Sequence, residues 1–123
     1  MANILLIDDM EGVRKAVSVA LRRAGHAVTE AADGARGIEA LRQRSFDVVV
    51  TDILMPETDG NEVLMFLDAL PKRPPVVALS GGGSRMTSDT ALLLARQKAD
   101  ALLHKPFDYG ELVDLVGRLA ARA

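Results

Sequence analysis

Short apolar segments with the composition of buried β-strands recur along this chain, and helix-like segments separate them. Residues 48–50 are all valine, and they show no alternation between apolar and polar positions. Such a run is typical of a strand covered on both faces, as in a parallel sheet, because a strand with one wet face alternates. Similar runs occur at residues 4–7, 76–79 and 102–103. The pattern therefore predicts a parallel sheet whose strands are joined by helices.

The segments between these runs carry apolar residues at the three- and four-residue spacing of amphipathic helices. The first helix is predicted to end at Gly25, which suits a left-handed stop, and the third at Pro71. A short strand near residues 27–30 precedes the second helix, and a fourth helix is expected over about residues 84–98. With a fifth helix near the end of the sequence, right-handed crossovers place helices on both faces of the sheet. The predicted fold is a three-layer α/β sandwich.

The composition fits one compact domain over residues 1–123. Hydrophobic residues form 49% of the chain, which suffices for a core, and three Phe and one Tyr make that core mainly aliphatic. The formal charge of −2 and the lack of clustered basic residues argue against direct nucleic-acid binding. Because the sequence shows neither a charged leader nor an apolar stretch of about 20 residues, we expect a cytoplasmic protein without membrane insertion.

The predicted strands end at residues suited to binding metal ions and phosphoryl groups. Asp8 and Asp9 follow the first strand, whereas Asp52, Ser80 and Lys105 lie at the ends of the third, fourth and fifth strands. The carboxyl ends of parallel strands meet at one edge of a sheet, so we expect these side chains to converge. Carboxylates about 4 Å apart repel by about 4 kcal/mol at an effective dielectric near 20, which favours a bound cation such as Mg²⁺. An acid nucleophile, a metal, an amine and a hydroxyl are the parts needed to form an aspartyl phosphate.

Four motifs in register carry a resemblance to a known family. They are Ile7-Asp8-Asp9, Asp52-x-x-Met55-Pro56-x-x-Asp59-Gly60, Leu79-Ser80-Gly81 and Lys105-Pro106-Phe107. In order and separation they resemble the receiver domain of two-component response regulators. The resemblance implies a flavodoxin-like (βα)5 fold whose parallel five-stranded sheet has the order 2-1-3-4-5.

The resemblance also implies a function for the strand ends. Asp52 would accept a phosphoryl group from the phosphohistidine of a sensor histidine kinase or a histidine phosphotransfer protein, and a partner-binding surface would change as a result. Ser80, Lys105 and the Gly81 N–H would bind the phosphoryl oxygens. The downstream partner is another protein, which the sequence does not identify. The chain is thus expected to be a regulatory phosphoacceptor rather than an enzyme, one that assists its own phosphorylation and dephosphorylation.

The same resemblance implies a metal site and a specific peptide geometry. Asp9, Asp52 and the backbone carbonyl of Leu54 would ligate Mg²⁺ directly, with Mn²⁺ as the alternative ion, and Asp8 would support it through water. The peptide bond between Lys105 and Pro106 is expected to be cis.

Several positions depart from the family pattern. Leu102 stands where many receivers carry the Tyr or Phe that acts as a switch, so the aromatic readout is expected to be altered. Leu54 and Gly82 offer no polar side chain to position water, and we therefore expect dephosphorylation to depend on water access alone. Met65 and Phe66 form an apolar pair on the third predicted helix, which is read either as packing or as a partner surface.

Two alternatives remain open from the sequence. One is a receiver-like protein-binding module that works without phosphorylation. The absence of an aromatic residue at Leu102 is compatible with this alternative. The other is a phosphatase with an aspartyl nucleophile. Such enzymes need a second acid two residues after the nucleophile, and Leu54 occupies that position.

Overall fold

A computed structural model describes residues 1–52, 60–80 and 99–122 of the chain. Strands and helices alternate through these ranges, as the sequence predicts. The strands are β1 (Asn3–Ile7), β2 (Ala27–Ala31), β3 (Val48–Asp52), β4 (Val76–Ser80) and β5 (Ala101–His104), and the helices are α1 (Glu11–Arg23), α2 (Gly34–Gln43), α3 (Gly60–Asp68) and α4 (Tyr109–Arg122). The helix predicted over residues 84–98 lies outside the described residues.

The five strands of the described ranges form one parallel sheet in the order β2-β1-β3-β4-β5. This confirms the predicted flavodoxin-like α/β fold. Ile4 of β1 lies opposite Val28 of β2 on one side and opposite Val48 of β3 on the other. The chain thus extends the sheet in one direction from β1 to β2 and in the other direction from β1 to β3. Ligands of such sheets bind at this reversal, outside the carboxyl ends of the strands.

Two apolar cores, one on each face of the sheet, explain why the strands read as continuous apolar runs. Successive side chains of a strand point to opposite faces. Leu5 and Ile7 pack into the core beneath α2 and α3, whereas Ile4 and Leu6 pack into the core beneath α1 and α4. All four are fully buried. Each such aliphatic side chain contributes about 1.5–3 kcal/mol on burial, which stabilises both layers of helices.

Helix α2 lies close to β1 because it carries a glycine at the contact. A Cβ atom built on Gly37 would overlap the Ile7 side chain. The helix is anchored at its start by Asp33, whose carboxylate accepts a hydrogen bond of 2.8 Å from the Arg36 N–H. Ile7 immediately precedes Asp8, so the packing of α2 also supports the first residue of the predicted site.

The helix ends follow from local chain chemistry. Gly25, with φ of +98°, follows α1 as predicted. Helix α3 ends at Asp68, earlier than the predicted stop at Pro71. The next N–H groups, of Ala69 and Leu70, donate three residues back to the carbonyls of Phe66 and Leu67, so the last turn tightens before the proline. In the part of the chain that the structure describes, no helix has both the length and the hydrophobicity of a membrane span.

The two residues of the apolar pair on α3 differ in their surroundings, so packing explains one of them and a partner surface stays possible for the other. Phe66 packs against the core, and the guanidinium of Arg42 lies 5.6 Å from its ring centroid. Met65 is 62% exposed. Phe66 is therefore a packing residue, and only Met65 remains a candidate surface contact.

Candidate functional site

Asp8 is a buried carboxylate fixed by contacts on three sides. The strand β1 ends at Ile7, yet the Asp8 N–H still donates to the Ala31 carbonyl at 3.1 Å, so the backbone position is set by β2. One carboxylate oxygen accepts a 2.9 Å hydrogen bond from the Met10 N–H, and the other accepts from Lys105 Nζ at 2.9 Å. With 0% of its surface exposed, Asp8 depends on these donors for the solvation that water would otherwise supply.

Asp52 is the last residue of β3 and lies beside Asp8 at the reversal point of the sheet. It is 3% exposed, and its Oδ2 accepts from Lys105 Nζ at 2.9 Å. The same ammonium therefore contacts both carboxylates, at equal distances. These contacts join residues 53 and 97 positions apart in sequence, as expected from the convergence of parallel strand ends.

Lys105 is held at the site by the backbone as well as by its side chain. Its N–H donates to the Ser80 carbonyl at 2.9 Å, which extends the pairing of β4 and β5, and the Lys105–Pro106 peptide bond is cis. Burial alone would lower the pKa of this lysine, but hydrogen bonds and charge attraction from Asp52 and Asp8 outweigh burial and raise it. Lys105 is thus a fixed positive charge between two acids.

Asp9 joins the two buried acids in a cluster with the donor chemistry of a divalent metal site. One carboxylate oxygen from each of Asp8, Asp9 and Asp52 can be chosen so that all three lie within 4.8 Å of one another. Among the described residues, three carboxylates lie at this site and the ammonium of Lys105 contacts two of them, so acidic groups outnumber basic ones. Hard oxygen donors in such excess fit Mg²⁺ or Mn²⁺.

Ser80 lies at the same edge of the sheet as the acid cluster. It is the last residue of β4, it is buried, and its carbonyl is the partner of the Lys105 N–H. The structure thus brings Asp8, Asp9, Asp52, Ser80 and Lys105 to one edge. Gly81, Gly82 and Leu54 lie outside the described residues.

Arg14 and Glu30 also support the site, and sequence reasoning missed them. Arg14 Nη1 donates to the Asp8 carbonyl at 2.8 Å, and its Nε pairs with Glu30 Oε1 at 3.1 Å. Arg14 thereby links α1, the β1 end and β2. The predicted strand order could have indicated this pair, because β2 beside β1 places the end of β2 next to the first turn of α1.

Leu102, the expected switch position, is half-buried. It packs against the core beneath α2 and α3, while its neighbour Leu103 packs against the opposite core. Because it borders the core without being enclosed by it, Leu102 can change its packing when the neighbouring structure changes. Its function as a switch stays a prediction.

Comparisons with known proteins agree with this arrangement. Residues 4–117 match the family described as "Response regulator receiver domain". The chain is 37% identical over 123 residues to response regulator Rre1 of Synechocystis, covering 98% of this chain and 52% of the relative. It is 32% identical over 119 residues to the DNA-binding transcriptional regulator NtrC of Bradyrhizobium, covering 97% and 24%. The chain therefore spans between about a quarter and about half of the length of these relatives.

Solved structures of receiver domains have the same fold. The receiver domain protein of Clostridium thermocellum superimposes with a TM-score of 0.84 at 28% identity, covering 99% of this chain and 96% of that one. The response regulator TrrA of Thermotoga maritima, solved with Mg²⁺ and BeF, gives a TM-score of 0.81 at 27% identity, covering 97% and 99%. Fold, acid cluster and family match agree, and the chain belongs to the receiver domains of two-component response regulators, a regulatory family.

Proposed function

We propose that Asp52 is the phosphoacceptor of this receiver domain. The observation that carries the proposal is the position of Lys105 Nζ, 2.9 Å from both Asp52 and Asp8 inside a cluster of three acids. A carboxylate that is nearly buried and in contact with a fixed ammonium is a suitable nucleophile. A phosphorylation-independent binding module would not need this arrangement.

The transfer forms one bond and breaks one bond. A carboxylate oxygen of Asp52 attacks the phosphorus of a phosphohistidine, the P–N bond breaks, and the imidazole nitrogen leaves with the electron pair and takes up a proton. The product is an acyl phosphate on Asp52. Lys105 stays near the accumulating negative charge, because a short movement of its ammonium carries it from the carboxylates to a phosphoryl oxygen.

The acids Asp8, Asp9 and Asp52, with the carbonyl of Leu54, would hold Mg²⁺, or Mn²⁺ as the alternative. The ion would neutralise the negative charge that the phosphoryl oxygens add to the cluster. Asp8 takes a supporting position, since one of its oxygens is engaged by the Met10 N–H and the other by Lys105. Asp9, which is less buried than Asp8, offers a carboxylate from the solvent side.

Ser80 and Gly81 would bind the remaining phosphoryl oxygens. A hydroxyl at the end of β4 and a peptide N–H immediately after it can both donate to an anion at this edge. Together with Lys105 they favour the phosphorylated state, and the resulting shift changes the packing of Leu102 and the surface around β5. Leu54 and Gly82 carry no polar side chain that could position water, so dephosphorylation would depend on the access of water to the acyl phosphate.

The biological setting follows from the family. A sensor histidine kinase or a histidine phosphotransfer protein in the cytoplasm would supply the phosphoryl group, and a further protein would read the changed surface. Residues 1–123 would act as one receiver domain in this exchange.

The test is Mg²⁺-dependent labelling of the chain by acetyl phosphate, measured as the mass of the intact protein. Wild type and Asp114→Asn, which changes an exposed acid of α4, should gain one phosphoryl group, whereas Asp52→Asn should gain none. Chelation of divalent ions should abolish labelling of the wild type. Equal labelling of wild type and Asp52→Asn would refute the assigned acceptor.

A further inference from the structure

A groove opens at the amino-terminal edge of the sheet, at the end of β3 opposite to Asp52. It lies between the segment that leads from α2 into β3 and the segment that leads from α3 into β4, and its volume is about 320 Å³. The floor consists of apolar side chains, which are Leu41, Phe46, Leu70 and Pro74. This volume is near the lower end of the roughly 300–1,000 Å³ of ligand pockets, so the groove accommodates a few side chains rather than a large ligand.

The rim of the groove is positively charged, although the chain as a whole carries a net charge of −2. Arg42, Arg44 and Lys72 line it, and no acidic residue does so among the residues that the structure describes. Arg42 contacts the Phe66 ring and pairs with Glu39 at 3.7 Å, and this ion pair is weak because both of its side chains are more than half exposed. For Arg44 and Lys72, the described ranges contain no carboxylate within ion-pair distance.

Arg44 is also held in place, which lowers the cost of ordering it around a ligand. Its guanidinium lies 5.6 Å from the centroid of the Phe46 ring, and its Nη2 lies 3.4 Å from Thr29 Oγ1. The guanidinium covers a face of the only aromatic ring in the floor. That face is therefore unavailable for stacking a nucleic-acid base, which disfavours single-stranded nucleic acid as the occupant.

We propose that this groove binds an acidic segment of a partner protein. Carboxylates of the segment would pair with Arg44 and Lys72, and one or two of its apolar side chains would contact Leu70 and Pro74. The groove and Asp52 lie at opposite ends of β3, and the strand itself is about 13 Å long at about 3.3 Å per residue. Docking at the groove is thus separate from phosphoryl transfer, and a partner can be held there in either phosphorylation state.

The experiment uses a fluorescein-labelled synthetic decapeptide in which Asp and Glu alternate with Leu and Phe, titrated with the full chain and followed by fluorescence anisotropy. The double substitution Arg44→Gln and Lys72→Gln should weaken binding about tenfold. The control double substitution Lys15→Gln and Arg118→Gln removes the same charge from exposed positions on α1 and α4, and should weaken it by less than about twofold.

Three further measurements test which interactions bind the peptide and where on the protein it binds. A peptide with Ser in place of Leu and Phe should bind at least about tenfold more weakly, because it lacks contacts with the apolar floor. Amide resonances of Gln43, Ser45 and Lys72 should shift on binding. Raising the salt from about 0.01 M to about 0.1 M shortens the screening length from about 30 Å to about 10 Å and should weaken binding.

Equal losses in the two double variants would overturn the proposal, because the attraction would then be to overall charge. Absence of peptide binding would overturn it as well. An oligothymidylate that binds as tightly as the peptide would overturn the choice of partner class. Labelling of Asp52 by acetyl phosphate should be unchanged in both double variants, so a failure at the groove is distinguishable from a failure of the proposed phosphoacceptor.

Discussion

Charged side chains are buried at the carboxyl end of β3 and exposed near its amino end. At the carboxyl end, Asp52 is 3% exposed and shares Lys105 with the fully buried Asp8, so protein atoms must stabilise each charge. At the amino end, Arg44 and Lys72 are exposed, and water solvates them. A charge that is buried with its partners is costly to disturb, whereas an exposed charge can be removed with little effect on folding. The molecule thus separates a pre-arranged chemical site from a charged surface.

The largest expected effect is that of Lys105→Met. Without the ammonium, Asp8 and Asp52 stay buried but lose the ion pairs that they form with Lys105, and the free energy of unfolding should fall by about 3 kcal/mol in the absence of divalent ions. Added Mg²⁺ should restore part of this loss, since the proposed metal site exists only in the folded chain. Urea denaturation with EDTA and then with Mg²⁺ measures both changes.

The matched control is Lys72→Met at the other end of β3. Because Lys72 is exposed and forms no ion pair with the described residues, its loss should change the free energy of unfolding by less than about 0.5 kcal/mol, with no added dependence on Mg²⁺. Equal destabilisation by the two substitutions would remove the contrast between the two ends.

Gly37→Ala should disturb the site from the helix side. The new Cβ would overlap Ile7, the residue before Asp8, and overpacking of this kind costs about 2 kcal/mol. Gly117→Ala in α4 is the control, because nothing lies within 4 Å of a Cβ there, and it should stabilise the protein by about 0.5–1 kcal/mol. Thermal unfolding gives both values. A neutral Gly37→Ala would show that α2 can move away from β1 without cost.

The fold could be predicted from the sequence because its strands and helices each have a local pattern of apolar residues. Residues 48–50 and 76–79 are apolar without alternation, and both strands proved buried on both faces. The end of α3 was placed too late, because a proline limits where a helix can run without fixing where it stops. Asp8, Asp9, Asp52 and Lys105 could be brought together from the sequence, since parallel strands align their carboxyl ends.

Contacts between elements could not be predicted from the sequence where the residues involved belong to no motif. Arg42 and Lys72 are 30 positions apart and become neighbours only because the segments before β3 and β4 lie side by side. Arg14 is one of several arginines in the chain, and its hydrogen bond to the Asp8 carbonyl depends on the angle at which α1 leaves β1. Such angles follow from packing of the whole domain rather than from local propensity.

Arg14→Gln tests whether the link from α1 to β2 positions the acid cluster. Loss of a charge-assisted hydrogen bond to the Asp8 carbonyl and of the pair with Glu30 should lower the free energy of unfolding by about 1.5 kcal/mol. The affinity for Mg²⁺ should fall too, because Asp8 is then less firmly held. Arg36→Gln, which removes an exposed pair with Asp33 at 3.9 Å, should leave both quantities nearly unchanged. Reduced stability with an unaltered Mg²⁺ titration would limit Arg14 to a structural role.

The smallest expected effect lies at the amino-terminal edge of the sheet, at His26. His26 precedes the strand, and its Nδ1 accepts a 3.2 Å hydrogen bond from the Ala2 N–H. Partial burial and the positive charge of the amino terminus lower the pKa of His26 below its ordinary value of 6.5. Protonation converts this acceptor into a donor, so the folded state binds the proton less readily than the unfolded state does.

The sign of the pH dependence follows from the lowered pKa. The stabilisation by His26 should be complete above pH 6.5 and decline as the pH falls through the lower pKa of the folded state. Relative to His26→Ala, the wild type should therefore be more stable by about 0.5 kcal/mol at neutral to basic pH and lose that advantage in acid. His26→Asn keeps an acceptor that does not titrate, so its stability relative to His26→Ala should be independent of pH. If His26→Asn and the wild type show the same pH dependence relative to His26→Ala, another group is responsible.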